Sequence, residues 1–411
     1  MYNLKGQLIM VDIKPFKGTR PFNEDAKSLI APSTDHLSIE NIEIFRKNNY
    51  WNYLKILNPV GQLKETDTLL EAKLHFNEMK ENDVIKKDVK DHFYVYQIEF
   101  KEHIQTGFLS LANIEDFTNE KIKAHEKIYE NRMRERAEQM LNIKTQIGPI
   151  YVFFENNKDI SQLLYSITSN TPDYDFESFD NSIHKLWCIS DKEFIKNLSL
   201  LFSENINNFY IADGHHRMGA MKLIGELKYN KNIYQENFMI AAFPSNEAKI
   251  FDYNRVVKDL NGLSEEKFLE LISESFTIAK IDRAFKPSRN REFGMYHENK
   301  WYSLYFKEKL ETNNFIDTLD INILNNYVFK KYLNIEDVNN DERIRFIAGC
   351  HGLGALEKKV DENKDSVAFS IFPSHITDVI KVADNKLTMP PKSTWFDPKP
   401  LDGLVVYEFG K

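Results

Sequence analysis

Asp213-Gly214-His215-His216-Arg217 is the segment whose residue types and spacing are best suited to chemistry. It follows the apolar run Phe209 to Ala212 and precedes Met218, Met221, Leu223 and Ile224, which recur at helical spacing. The pattern predicts a strand, a tight turn and a helix, with Asp213 as N-cap and Gly214 bringing backbone close to a ligand. Two histidines and an arginine then share the first helical turn with unpaired N–H groups and the positive end of the helix dipole. Such a convergence makes an anion site, with phosphate the leading anion. The structural alternative makes His215 and His216 capping or core residues and pairs Arg217 with a surface carboxylate; the clustering at one turn favours binding. Adjacent histidines on a helix point about 100° apart, which disfavours a shared zinc ion.

Two other segments supply partner chemistry. A helix predicted over 121–141 places Ile122, Glu126, Tyr129, Met133, Ala137 and Met140 within about 60° of one line, so Glu126 falls in the apolar stripe. A carboxylate there is costly without a purpose, and desolvation would tune it toward a general base. Arg132 and Arg134 read as a solvated, salt-bridged face, whereas Arg136 is a candidate for phosphate binding. Near the end, Met389-Pro390-Pro391-Lys392-Ser393-Thr394 uses two prolines to stiffen the backbone ahead of an ammonium and two hydroxyls. That group suits a carboxylate or phosphate; its alternative is a proline-rich surface turn. Lys14 to Arg20 and Arg255 are weaker basic candidates.

The elements that must position these residues alternate. Aromatic and β-branched runs predict strands over 8–13, 92–100, 150–154, 209–212, 238–243, 301–305 and 367–372. Helical periodicity is seen over 69–82, 121–141, 215–228, 264–275 and 316–327. The mixture predicts an α+β or α/β fold, divided by a polar stretch near 254–264 into regions 1–255 and 256–411. The 411 residues allow a large core, and 13% aromatic content excludes disorder as the main state. A net charge of −8 gives no general attraction to nucleic acid or an anionic membrane. Cys188 and Cys350, without CxxC spacing, exclude a disulfide framework. No window approaches the ~18 apolar residues of a membrane span. No leader pattern is visible, so a cytoplasmic protein is expected. The phosphate-loop, dinucleotide-binding and nucleophile-elbow motifs are all missing, and His125-Glu126 lacks the second zincin histidine because residue 129 is Tyr.

Gly214-x-x-Arg217-x-x-Ala220 resembles the signature of the ParB/sulfiredoxin superfamily, whose loop binds nucleotide phosphates. Asp213 to Arg217 as a whole resembles the free-serine-kinase branch. His215 stands where sulfiredoxins carry their reactive cysteine, and the helix-turn-helix of the partition proteins is missing. Lys123-Ala124-His125-Glu126 is similar to the serine-kinase segment whose Glu is the catalytic base, and Pro391-Lys392-Ser393-Thr394 to the one that holds the amino acid. Over its full length the chain resembles the family called domain of unknown function 1015. The matching segments are Ile13 to Phe16, Gln105 to Gly107, His125-Glu126, Gly148-Pro149, the Asp213 loop, and Met389 to Lys399 followed by Gly403. Arg136 also falls on an Arg of that family. Ala31 to Asp35 and Ile128 depart from its pattern.

The resemblance implies a ParB/sulfiredoxin-like core with large α/β additions. It also implies phosphoryl transfer between ATP or ADP, with Mg²⁺, and a small hydroxyl metabolite, with free serine the leading acceptor. Gly214, His215, His216, Arg217 and Arg136 would hold phosphate, with His216 also placed at the reaction. Glu126 would accept the hydroxyl proton, Asp213 would orient a histidine or hold Mg²⁺, and Lys392, Ser393 and Thr394 would clamp the acceptor. The rivals are a phosphoserine phosphatase using the same pocket and a non-enzymatic nucleotide-binding switch. No nucleic-acid or membrane partner is expected.

Overall fold

A computed structural model describes residues 10–22, 25–31, 39–57, 65–227, 236–312, 314–363 and 366–410. The start of the strand expected over 8–13, the Pro32 to Asp35 part of the family segment and the last residue of the helix expected over 215–228 lie outside these. The chain forms two compact units, 1–248 with 398–411, and 249–397.

The first unit is built on a sheet of β1 (Ile13–Lys14), β2 (Phe93–Phe100), β3 (His103–Asn113), β4 (Ile122–Lys123), β5 (Ile150–Phe154), β6 (Tyr174–Glu177), β7 (Ile183–Ile189), β8 (Phe209–Asp213) and β9 (Asn237–Pro244). Their order is β4-β8-β5-β9-β3-β2-β7-β6, with β1 pairing β3. Only β4–β8 and β5–β9 are parallel. The central strands are buried at nearly every position, because both sheet faces are covered. α1 (Glu65–Glu81), α2 (Glu130–Ile143), α3 (Lys158–Thr168), α4 (Lys192–Asn205) and α5 (His215–Glu226) accompany it. Asn157 and Asp191 cap α3 and α4 by accepting first-turn N–H groups. Phe194, Leu198 and Phe202 of α4 then pack with Phe108 and Phe154, and Met218, Met221 and Ile224 of α5 join the same core.

The second unit is a six-stranded antiparallel sheet of β10 (Tyr253–Val257), β11 (Phe276–Ile281), β12 (Glu292–His297), β13 (Lys300–Phe306), β14 (Ile344–Ala348) and β15 (Val367–Ile371), ordered β11-β13-β12-β15-β10-β14. Phe268 and Ile272 of α6 (Glu265–Ile272), Ile321 and Leu324 of α7 (Asp320–Leu324) and Val382 of α9 (Ile376–Asp384) share one core cluster. Leu356 and Val360 of α8 (Gly354–Asp361) share another with Val256, Tyr296 and Ala368. Mixed and antiparallel sheets with packed helices make the chain α+β, as the sequence pattern predicts.

Two predicted helices are corrected. The one over 121–141 starts only at Glu130: Ile122 and Lys123 instead pair with Phe209 and Tyr210 as strand β4, and 124–129 is non-helical. Burial of Ile122 by strand pairing mimicked a helical stripe, since a few apolar residues fit either period. The helix over 316–327 is broken into a 3₁₀ turn, α7 and a π turn, because Leu319 is extended at φ −70°, ψ 138°.

Phe202 is fully buried, with ring centroids 5.1 Å from Phe108, 4.9 Å from Phe154 and 5.8 Å from Phe209. Phe202→Ala is expected to cost about 3–5 kcal/mol of stability through the cavity it leaves. The shift in the urea unfolding midpoint measures it; a change under about 1 kcal/mol would remove α4 from the core that holds the sheet together.

Candidate functional site

At the end of β8 the register against β5 shifts between Ile211 and Asp213, a bulge that re-aims the chain as it leaves the sheet. Gly214 follows with φ +94°, a conformation a side chain would strain, and it is Gly214, not Asp213, that caps α5. The expected capping by Asp213 is therefore corrected. Its carboxylate is taken by two cations, with Oδ2 accepting from Arg217 at 3.1 Å and Oδ1 from Lys399 at 3.2 Å. Burial alone would raise its pKa, but Lys399 and Arg217 outweigh burial and hold the group well below the usual carboxylate range.

Arg217 folds back across Gly214 and also donates to Asp402 Oδ1 at 2.7 Å. A Cβ on Gly148 would collide with both Arg217 and Asp402, so glycine there leaves the space for this ion pair. Lys399 and Asp402 arrive on the C-terminal return of the chain. Gln105 donates to the Pro398 carbonyl at 3.0 Å, the Leu401 N–H donates to the Tyr96 hydroxyl at 3.3 Å, and Tyr407–Glu408 pair with Thr145–Gln146. Sequence reasoning placed neither residue in the site, although both fall in or beside the closing family-like segment; no local pattern marks residues 185 positions away as partners.

The two histidines of the loop enter as neutral rings rather than as cations. The His215 Nε2 accepts from the His125 backbone N–H at 3.4 Å, and the His216 Nε2 accepts from the Tyr129 N–H at 3.2 Å. An accepting nitrogen carries no proton, so both rings are neutral with the proton on Nδ1. Burial pushes His215 down to about 4 and His125, whose ring lies 4.7 Å from it, down to about 3. His216, stacked under Tyr129, is lowered by desolvation and then by Arg132.

Glu126 precedes α2 in the non-helical segment, and its side chain is 41% exposed, which corrects its expected place in a buried helical stripe. Its Oε2 lies 3.5 Å from the His215 Nδ1, the nitrogen that carries the proton of the neutral imidazole. Arg136, on α2, donates to Gln139; desolvation and the like charge of Arg217 lower its pKa, which places the two guanidiniums in one field. Arg134 pairs with Glu130 on the exposed face, as the sequence pattern predicts. Gly219 allows α5 to approach Ile128 and Met133 closely, and this packing brings the Glu126 segment beside the loop.

Lys392, Ser393 and Thr394 belong to the second unit. Lys392 is exposed at φ +56°, with its ammonium 5.6 Å from the Tyr253 ring centroid, while Ser393 and Thr394 are buried and Ser393 donates to the Pro390 carbonyl. Asp213, the expected Mg²⁺ ligand, already has a cation on each oxygen. Among the described residues no group of three or more His, Cys, Asp or Glu could hold a metal. These residues do not fit a resident ion, and no step below runs through one. No helix among the described residues is long and apolar enough to cross a membrane.

The family model described as "Protein of unknown function (DUF1015)" matches residues 13–322. No match to a curated protein reaches significance. Among solved structures, the chain is similar to C-terminally truncated SbnI from Staphylococcus aureus, at 11% identity over 72% of this chain and 85% of that one, with a TM-score of 0.38. A free serine kinase in complex with AMP matches at 15% identity over 72% and 92% with a TM-score of 0.34. A conserved hypothetical protein from Pyrococcus furiosus matches at 13% over 74% and 95%, with a TM-score of 0.33.

The buried neutral histidines tie stability to pH. Unfolded, His125 and His215 bind protons near pH 6.5; folded, they do so only near 3 and 4. The unfolded state therefore holds more protons in between, and stability is fully present above pH 6.5 and lost as pH falls toward 4. The expected slope is about 1.4 kcal/mol per pH unit per histidine. Urea unfolding from pH 7.5 to 4.5 reads it, and His215→Gln should flatten the slope by about one such increment. An unchanged slope would mean that the imidazole is charged in the folded protein.

Proposed function

The chain belongs to the DUF1015 family, and on that premise we propose that it transfers a phosphoryl group between a nucleotide and the hydroxyl of a small metabolite, free serine being the leading acceptor. The observation that supports the proposal is the accessible Glu126 carboxylate, 3.5 Å from His215 at the N-terminus of α5, a helix end that also carries Arg217 and lies near Arg136. Phosphoryl transfer asks mainly for positioning and charge stabilisation, and this arrangement supplies both.

The first-turn N–H groups of α5, the His216 Nδ1–H and Arg136 hold the phosphate oxygens, and Arg217 fixes the loop while contributing its charge. Glu126 removes the acceptor's hydroxyl proton as its oxygen bonds to phosphorus, and the nucleotide leaves with the electrons of the broken P–O bond. Gly214 keeps side-chain bulk away from the transferring group. ATP and ADP are both candidate donors, because nothing in the loop distinguishes them.

The test incubates the purified protein with L-serine, Mg²⁺ and either ATP or ADP, and measures phosphoserine by mass spectrometry. Glu126→Gln is expected to lower kcat by about 10²–10⁴-fold while nucleotide affinity changes less than about threefold. Arg217→Ala is expected to weaken both. Phosphate release from phosphoserine without nucleotide would replace the proposal with a hydrolase, and full activity in Glu126→Gln would remove the general base.

A further inference from the structure

A cavity of about 60 Å³ in the second unit is lined at different points by Arg255 of β10 and Asp320 of α7. Arg255 has no exposed surface. Its terminal nitrogens donate to the carbonyls of Tyr253, Pro391 (3.4 Å) and Lys392 (2.8 Å), and its guanidinium carbon lies 4.8 Å from the Phe346 ring centroid. Among the described residues no hydrogen-bond acceptor meets its Nε, and no acidic side chain offsets its charge. Asp320 shows the complementary defect: Oδ1 accepts from the Arg291 N–H at 2.9 Å, and the buried Oδ2 has no hydrogen-bond partner among the described residues.

A cation with no acidic partner and a carboxyl with one unpartnered oxygen line one cavity, and together they narrow its ligand. Burying either group uncompensated is expensive. A simple anion would satisfy Arg255 and Lys392 but meet Asp320 and Asp378, all four of which line the same cavity; a simple cation would meet Arg255 and Lys392. A small molecule with both charges satisfies both defects. At ~10–15 Å³ per water the space equals about four to six waters, which limits the ligand to a few heavy atoms beyond its charged ends. Phe315, Leu319, Ile321 and Ile371 supply apolar walls. Burial, reinforced by Asp378, pushes Asp320 up to about 7, and an ammonium beside it would restore its ionised form.

We propose that this cavity binds a small free amino acid, with Arg255 taking the carboxylate and Asp320 the ammonium. Lys392 and Ser393, of the segment that resembles an amino-acid-holding one, line the same cavity; every lining residue belongs to the second unit, and the proposal does not rest on phosphoryl transfer. The full chain, without nucleotide, is titrated calorimetrically with each common L-amino acid, and with acetate and methylamine as half-ligands. At least one small amino acid is expected to bind with unit stoichiometry, and each half-ligand at least tenfold more weakly. Arg255→Gln, which keeps donors for the carbonyls but no charge, and Asp320→Asn, which keeps the shape, should each weaken that amino acid at least tenfold. Circular dichroism checks that both variants fold, and Asp320→Asn suffices if Arg255→Gln does not. Asp320→Asn should still bind ADP as the parent does, so loss of amino-acid binding with ADP binding kept tells failure at this cavity apart from failure at the phosphoryl site. No binding by any amino acid, acetate binding as tightly as the amino acid, or unchanged affinity in a folded Asp320→Asn would overturn the proposal.

Discussion

Arg217 donates to Asp213 and Asp402 at once, and the local architecture of the first unit converges on that double ion pair. Asp213 ends a central strand, Arg217 opens a helix, and Asp402 arrives on a chain that left the unit at residue 248 and returned at 398. An Arg–carboxylate pair is directional, so each contact fixes orientation as well as distance. The local sequence accommodates it: Gly214 takes the positive φ, Gly148 leaves room for the guanidinium, and Ala220 is small enough to be fully buried one turn further on. The Gly-x-x-Arg-x-x-Ala signature thus has a mechanical reading in which turn, clamp and packing contact each demand their own residue.

Compensation by carboxylates changes what the site can do. Around the loop, Arg132, Arg136, Arg217 and Lys399 face Glu126, Asp213 and Asp402, and the neutral histidines add no charge. In the proposed transfer, attraction for the phosphate would come from the end of α5 and the less compensated arginines of α2, rather than from imidazolium groups. A phosphate between Arg136 and Arg217 would relieve their mutual repulsion. Fixed dipoles and pre-paired cations need little rearrangement when charge moves during transfer, which is the condition under which electrostatic stabilisation is most effective.

Legibility in the sequence followed the range of the interactions. The β8–Gly214–α5 passage was readable because strand, turn and helix are local, and its aromatic and methionine residues announce the core they enter. Arg134 on a surface pair was readable for the same reason. Lys399 and Asp402 were not, since their partners lie 186 and 185 positions away and nothing in a short window encodes that meeting. Glu126 was found through its motif but misplaced in its element: the stripe that includes Ile122 is generated by an edge strand and a loop packed under α5. The protonation state of the histidines was also out of reach, because it is set by the backbone N–H groups of His125 and Tyr129.

The misplacement of Glu126 alters the chemistry as well as the fold. A carboxylate sunk in an apolar helix stripe would gain basicity by desolvation but lose access to a hydroxyl in solution. In the extended segment it remains 41% exposed, while the imidazole 3.5 Å away is only 2% exposed. In the proposed transfer the carboxylate would meet the acceptor, with His215, anchored in the core by the His125 backbone, beside it. Rigidity is supplied from beneath the surface, and the surface group keeps the access that a base needs.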